Sequence, residues 1–226
     1  METFEQWQQS QEAVYGKFRQ KAKLVETQGV VPWTDQFTAG HLIAFRFPEN
    51  ISRLLGDISR QVANTVPALV YSPDLVHTTV SDFGIIPRRN FSYDEHAIET
   101  LEQLSKGVES VFKDLRKPEV DLIGLLYNQN TVIAEGHPNQ DFFNAAQLII
   151  EGCKKQGIEL RMPWGAHSTV SRTYEKRNPE QLADFLKLLK GTKLRERAVL
   201  GTLDVMNFYM APYKMDQDFY QRFELK

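Results

Sequence analysis

The chain has 226 residues, of which 42% are hydrophobic and 25% charged, and its formal net charge is −2. This length and balance are typical of a globular protein with a sizeable core. The small net charge argues against a long nucleic-acid duplex as the main partner, because duplex binding relies on a basic face. A nucleotide or a short oligonucleotide end is compatible with it.

One cysteine, Cys153, is too few for a disulfide framework or a Cys-x-x-Cys metal site. It lies within a predicted helix, where we expect it to be a small buried apolar residue. The N-terminus has no basic region followed by an apolar run, and no apolar stretch is long enough to span a bilayer. We therefore expect a cytoplasmic protein with no membrane partner and no obligate protein partner.

Residues 3–28 predict an amphipathic helix that Gly29 can end. Its apolar stripe is narrow, so we expect an accessory helix packed on a core, with a partner or membrane surface as the alternative. Residues 29–40 are expected to form a linker. The chain would then consist of an accessory segment (1–40) and a main domain (41–226) with two pseudo-symmetric lobes.

The rest of the chain alternates between strand and helix patterns. Strands are predicted at 41–47, 69–71, 75–82, 120–127, 131–135, 165–172 and 198–210. Helices are predicted with Pro48 at the first position, after a capping box at 92–95, from Asn139 to Gly157 and from Asn178 to Gly191, with a mixed tail after Pro212. Several neighbouring strands look like hairpins, which favours an α+β fold with antiparallel sheets over a doubly wound parallel sheet.

A short motif occurs twice. The segment that begins His77-Thr78-Thr79-Val80 returns 90 residues later as His167-Ser168-Thr169-Val170, and a serine follows each copy. The same offset aligns Ile43-Ala44 with Ile133-Ala134, Pro48 with Pro138 and Pro73 with Pro163. Similarity at a fixed offset predicts a duplicated structural unit.

The residue types in this motif suit phosphoester cleavage. Residues two apart in a strand face the same side, so His77 lies with Thr79, and His167 lies with Thr169 and Ser171. An ordinary histidine pKa of about 6.5 lets one ring accept a proton while the other donates one. The threonine hydroxyls would hold phosphate oxygens, and no metal or cofactor is required. A single strand histidine is more often structural, but two at an aligned offset favour a site.

Other residues near the motifs are candidates for substrate binding. Arg172 could neutralise a phosphate or form a salt bridge on the rim. The aromatic residues could stack on a base or belong to the core: Tyr71, Trp164 and Tyr174. Arg88 and Arg89 could touch a substrate backbone or lie in solvent. The remaining histidines lack a paired threonine and are expected to be structural or on the surface: His41, His96 and His137.

The paired motifs resemble those of the 2H phosphoesterase superfamily, which includes the bacterial RNA 2′,3′-cyclic phosphodiesterases once called 2′-5′ RNA ligases. The resemblance covers residues 41–212 and is strongest at 42–49, 77–84 and 167–172. It implies a bilobal, duplicated LigT-like fold with two antiparallel sheets lining a central cleft. It also implies that His77 and His167 are the acid–base pair and that Thr79 and Thr169 bind phosphate.

From these observations we expect a metal-independent phosphodiesterase acting on a nucleotide or RNA-end phosphodiester, with a 2′,3′-cyclic phosphate as the leading substrate. One alternative is cleavage of 2′-5′-linked or cyclic oligonucleotides. Another is a nucleotide- or RNA-binding module without turnover, and a third is an interaction protein that uses the N-terminal helix. Two titrating histidines favour catalysis, since binding alone does not need them.

Overall fold

The structure, a computed structural model, describes residues 2–34, 36–88 and 95–226. The side chains of the predicted capping box at 92–95, of Arg88 and Arg89, and of His96 lie outside what it describes. The helices are α1 (Phe4–Gln28), α2 (Glu49–Ala63), α3 (Glu95–Val111), α4 (Gln140–Lys155) and α5 (Ala183–Gly191). The strands are β1 (Phe37–Arg46), β2 (Ala68–Val70), β3 (His77–Arg88), β4 (Glu119–Tyr127), β5 (Thr131–Pro138), β6 (Ser168–Thr173), β7 (Glu196–Val199), β8 (Thr202–Ala211) and β9 (Lys214–Glu224).

The predicted N-terminal helix is confirmed, and local chemistry sets its two ends. The Thr3 side chain accepts from the Gln6 backbone N–H while the Gln6 side chain accepts from the Thr3 backbone, which forms a capping box. Gly29 ends the helix at a φ of 81°, a conformation that glycine adopts without strain. The linker is shorter than expected because β1 already begins at Phe37.

Two antiparallel sheets form the core of the fold, as predicted. One has the strand order β3-β1-β8-β9 and the other β2-β6-β5-β4-β7. The predicted hairpin between β4 and β5 is present. Strand β9 was not predicted from the tail, because most of its residues are exposed or half-buried at a sheet edge and show no regular apolar alternation.

Two predicted helix starts differ from the structure. Pro48 is the N-cap of α2 rather than its first helical residue. Pro179 begins a short 3₁₀ turn (Pro179–Gln181), and α5 starts only at Ala183. Cys153 is buried as expected, where α4 crosses α3 so closely that a Cβ on Gly107 would lie 2.7 Å from the Cys153 sulfur. None of the described helices has both the length and the apolar character that crossing a membrane requires.

The duplicated unit carries the same irregularity twice. On β3, Ser81 pairs with Ile43 and Thr79 with Ala44, so Val80 bulges out of the ladder. On β6, Ser171 pairs with Val132 and Thr169 with Ile133, so Val170 bulges in the same way. The match of Ile43-Ala44 with Ile133-Ala134 is therefore wrong by one residue: Ala44 corresponds to Ile133, an offset of 133 − 44 = 89.

Candidate active site

A cleft of about 390 Å³ lies between the two sheets and is lined by both motifs. His77 and Thr79 reach it from β3, and His167 and Thr169 from the start of β6. Its volume is in the range of small-molecule sites. The structure thus brings together the four residues that the sequence singled out as catalytic.

The ring of His77 is held by a hydrogen bond two residues back along the chain. Its Nδ1 lies 2.7 Å from the Leu75 carbonyl and 3.1 Å from the Gln217 amide nitrogen. Because a carbonyl can only accept, the shorter contact assigns the proton to Nδ1 and leaves the lone pair on Nε2. The Gln217 amide N–H donates to the same carbonyl at 3.4 Å, and its oxygen accepts from Arg46 at 2.7 Å. The buried Arg46–Asp204 ion pair therefore orients Gln217, and Gln217 supports the Leu75–His77 pair.

His167 occupies the equivalent place in the second unit but is held differently. The Gly165 carbonyl, two residues back, partly opposes the lowering of the His167 pKa that burial causes. It does not meet the geometry of a hydrogen bond to the ring Nδ1. Its Nδ1 has no hydrogen-bond partner among the described residues. Instead the ring stacks on Trp164, with centroids 3.8 Å apart and an interplanar angle of 21°. Aromatic packing thus fixes this ring where hydrogen bonding fixes His77.

Both histidines are neutral at neutral pH in the free protein. Burial lowers the pKa of His77 to about 4, and the nearby Arg46 adds to the effect. Burial lowers the pKa of His167 to about 3, with smaller contributions from His77 and Arg172. An anion bound between the rings would offset these effects and return one proton to the pair.

Arg172, a candidate for either a phosphate contact or a salt bridge on the rim, lines the cleft. Its Nε donates to the Tyr71 hydroxyl at 3.1 Å, and its guanidinium lies 4.6 Å from the centre of the Trp33 ring. Its positive charge lowers the pKa of both histidines, which places it within electrostatic reach of each. The bulge at Val170 adds one residue to β6 and so reverses which side chains beyond it face the cleft. Arg172 therefore faces the same side as Thr169.

The same bulge removes Ser171 from the site. We expected it to lie with His167 and Thr169, but it is buried, and its hydroxyl donates to the Leu69 carbonyl at 3.0 Å. Thr78 and Ser168, which alternate with the motif positions along their strands, do not line the cleft. Both are fully buried, and neither hydroxyl has a hydrogen-bond partner within the part of the chain described.

The three aromatic candidates are placed differently from one another. Tyr71 lines the cleft, but its ring is buried and its hydroxyl holds Arg172. Trp164 also lines the cleft, with His167 stacked on it at 3.8 Å and Phe18 parallel to it at 6.4 Å. Tyr174 follows the end of β6, is 38% exposed and does not line the cleft. Trp164 is 36% exposed at the cleft, so base stacking on its ring stays a prediction.

Sequence reasoning missed several residues that line the cleft. Arg161 adds a second cation, and Asp82 lies near it. Burial raises the pKa of Asp82, and the charge of Arg161 partly opposes this rise. An apolar wall is formed by Leu42, Met162, Phe208, Met210 and Met215. Only Asp82, which follows the first motif directly, could have been inferred from the sequence. Arg161 and Met162 lie five and six residues before His167 but show no pattern that marks them, and Phe208, Met210 and Met215 come from distant segments.

Two further features lie outside this cleft. A depression of about 700 Å³ is larger, but neither motif lines it, and its cations Arg46 and Arg222 both pair with the one buried carboxylate of Asp204. Glu12, Glu135 and His137 have potential ligand atoms within 4.8 Å of one another. Arg19 forms ion pairs with both of these carboxylates and offsets one of their two negative charges.

No protein-family model and no curated protein sequence matches the chain. Among solved structures, TT0787 of Thermus thermophilus matches with a TM-score of 0.53 and 16% identity, over 82% of this chain and 97% of that one. Escherichia coli LigT in complex with 3′-AMP matches with a TM-score of 0.51 and 12% identity, over 83% of this chain and 98% of that one. These similarities establish the architecture that the paired motifs led us to expect. The chain has the LigT-like fold of the 2H phosphoesterases.

Proposed function

We propose that the chain is a phosphodiesterase that cleaves a nucleotide or RNA-end phosphodiester, with a 2′,3′-cyclic phosphate as its substrate. The observation that carries the proposal is the meeting of two differently held histidines and an arginine held by Tyr71 in one cleft whose volume suits a small molecule. LigT, whose fold the chain shares, was solved with 3′-AMP bound, which is a product that ring opening could give.

The proposed reaction begins when the monoanionic phosphate binds against Arg172. Its negative charge raises the pKa of the two histidines, and one of them takes up a proton. The neutral ring then accepts a proton from water while the water oxygen attacks phosphorus. The bond from phosphorus to one ribose oxygen breaks, and the protonated ring gives its proton to that oxygen. Proton exchange with water afterwards returns the pair to its starting state.

The two threonines and Arg172 would stabilise charge on the non-bridging oxygens. Thr79 and Thr169 stand two residues after each histidine on the cleft side of their strands, within the lining of the same cavity. Preorganised donors of this kind contribute about 10²- to 10³-fold each in other enzymes. The histidines supply acid and base, and the arginine and hydroxyls supply charge stabilisation, so the mechanism assigns no step to a metal.

The test is hydrolysis of a panel of 2′,3′-cyclic nucleotides, with EDTA present, by the wild type and by single variants. His77→Gln and His167→Gln should each lose at least about a hundredfold in kcat, because each removes one proton-transfer group. Thr79→Val and Thr169→Val should also lose activity. Thr78→Val and Ser168→Ala are matched controls, since they change neighbouring residues that do not line the cleft.

The outcomes separate the proposal from its alternatives. Full activity in either histidine variant would contradict the two-histidine mechanism. No turnover by the wild type on this panel would contradict the cyclic-phosphate substrate, and 2′-5′-linked and cyclic oligonucleotides would be assayed next. Tight nucleotide binding that His77→Gln leaves unchanged, with no turnover of any of these substrates, would identify a binding module.

A further inference from the structure

The N-terminal helix touches the segment that precedes His167. Trp7 Nε1 donates to the Pro163 carbonyl at 2.5 Å, and Gln11 Oε1 accepts from the Ala166 backbone N–H at 2.9 Å. Both side chains are buried, and positions four apart lie on one face of a helix. One face of α1 therefore holds both ends of the segment 163–166 that leads into β6.

Inside that segment, Trp164 connects α1 with the histidine. One face of its ring stacks on His167 at 3.8 Å. From α1, Tyr15 meets it edge-on at 5.8 Å and Phe18 lies parallel to it at 6.4 Å. The helix therefore supports the tryptophan that supports the catalytic ring, and this matters because His167 Nδ1 lacks a hydrogen bond of its own among the described residues.

The segment is packed too closely to shift while α1 is in place. A Cβ on Gly165 would lie 2.8 Å from the Gln11 side chain. On the other side, a Cβ on Gly136 of β5 would lie 1.9 Å from the Ala166 carbonyl oxygen. Tyr15 of α1 binds the backbone of the same glycine. The Tyr15 hydroxyl donates to the Gly136 carbonyl at 2.9 Å and accepts from the Gly136 N–H at 3.2 Å.

Charge on α1 does not account for this arrangement. Glu12 and Arg19 pair with each other at 2.5 Å, and Arg19 also pairs with Glu135. The charged or titratable groups that act on His167 are His77 and Arg172, while Arg161 and Asp82 line the same cleft. The contribution of α1 to the site is therefore geometric.

We propose that α1 is a working part of the active site, in which Trp7 and Gln11 are positioning residues for His167. They hold residues 163–166 in place and, through Trp164, fix the plane and the burial of the imidazole. The catalytic consequence rests on the proposed function, whereas the structural link between α1 and His167 does not. His77 lies on the other sheet and is supported by Gln217. We therefore expect its position and its pKa to be insensitive to changes in α1.

The test uses two variants that each remove one hydrogen bond and leave an apolar side chain in its place. Gln11→Met removes the acceptor for Ala166, and Trp7→Phe removes the donor to Pro163 while a ring still packs against Phe142 and Phe143. Val25→Ala is the control: it deletes buried volume on the same helix, about 21 Å along its axis from Gln11. Circular dichroism would establish that all three variants are folded.

Two readouts are taken on the full-length protein. For 2′,3′-cyclic nucleotides, kcat should fall by about 10- to 100-fold in Gln11→Met and Trp7→Phe, because small misplacements of catalytic groups have effects of this size. KM should change less than about twofold, because Arg172 is held independently by Tyr71 and Trp33. By NMR titration of the imidazoles, the pKa of His167 should rise toward its ordinary value while that of His77 stays unchanged.

Either of two results would overturn the proposal. One is wild-type kcat together with a wild-type His167 titration in folded Gln11→Met and Trp7→Phe. The other is an equal change in Val25→Ala, which would mean that only stability is at work. If the wild type turns over no substrate, the proposed function fails, but a selective shift of His167 still supports the positioning role and the absence of a shift still refutes it.

Discussion

Lowering the pH should destabilise the folded protein through the two cleft histidines. Their pKa values fall from 6.5 to about 4 for His77 and to about 3 for His167, mainly because burial disfavours the charged ring. Below pH 6.5 the unfolded chain therefore binds protons that the folded protein does not. The stability present above pH 6.5 is lost progressively as the pH falls toward these lowered values.

The size of the effect follows from the shifts. At pH 5 the unfolded histidines are almost fully protonated and the folded ones almost fully neutral, which amounts to about 2 kcal/mol for each ring. This is an upper value, because both rings border the cleft and keep some contact with water. Together they account for up to about 4 kcal/mol, a large share of the ~5–15 kcal/mol that stabilises a typical domain.

Urea denaturation at pH 7.5 and pH 5.0 measures this effect without any assumption about substrate. The wild type should lose more unfolding free energy between the two pH values than the double variant His77→Gln/His167→Gln, by up to about 4 kcal/mol. His137→Gln serves as the control, because that ring does not line the cleft. The reasoning is refuted if wild type and double variant lose the same free energy.

Three further predictions address other parts of the site. Arg172→Gln should raise the pKa of both cleft histidines, because the positive charge of Arg172 lowers both pKa values. The falling limb of the pH profile of kcat/KM should therefore move to higher pH while KM increases, and an unmoved limb would contradict the electrostatic role. Thr78→Val should leave activity unchanged and raise the unfolding free energy by about 1 kcal/mol, since it removes a buried hydroxyl without a partner among the described residues; a loss of stability would show that the hydroxyl is satisfied. Gly136→Ala should lower both thermal stability and kcat, because its Cβ would collide with the Ala166 carbonyl and displace the segment before His167, and a wild-type kcat would show that the segment tolerates the shift.

Local sequence patterns were enough to predict most of the elements and the meeting of the four motif residues in one cleft. The helix periodicity of α1 and the stop at Gly29 predicted its limits, because capping and glycine at positive φ act within a few residues. The repeated His-x-Thr motif predicted which side chains share a cleft, because alternation along a strand is a local property. The antiparallel arrangement followed from short connections between strand patterns.

Tertiary structure alone decided the register and the surroundings of the site. The bulges at Val80 and Val170 depend on pairing with β1 and β5, and the one at Val170 brings Arg172 rather than Ser171 into the cleft. The stacking of Trp164 on His167 depends on contacts from α1, which join residues more than 140 positions apart in the chain. Contacts at such separation leave no periodic trace in the sequence, because they are fixed by packing between elements rather than within them.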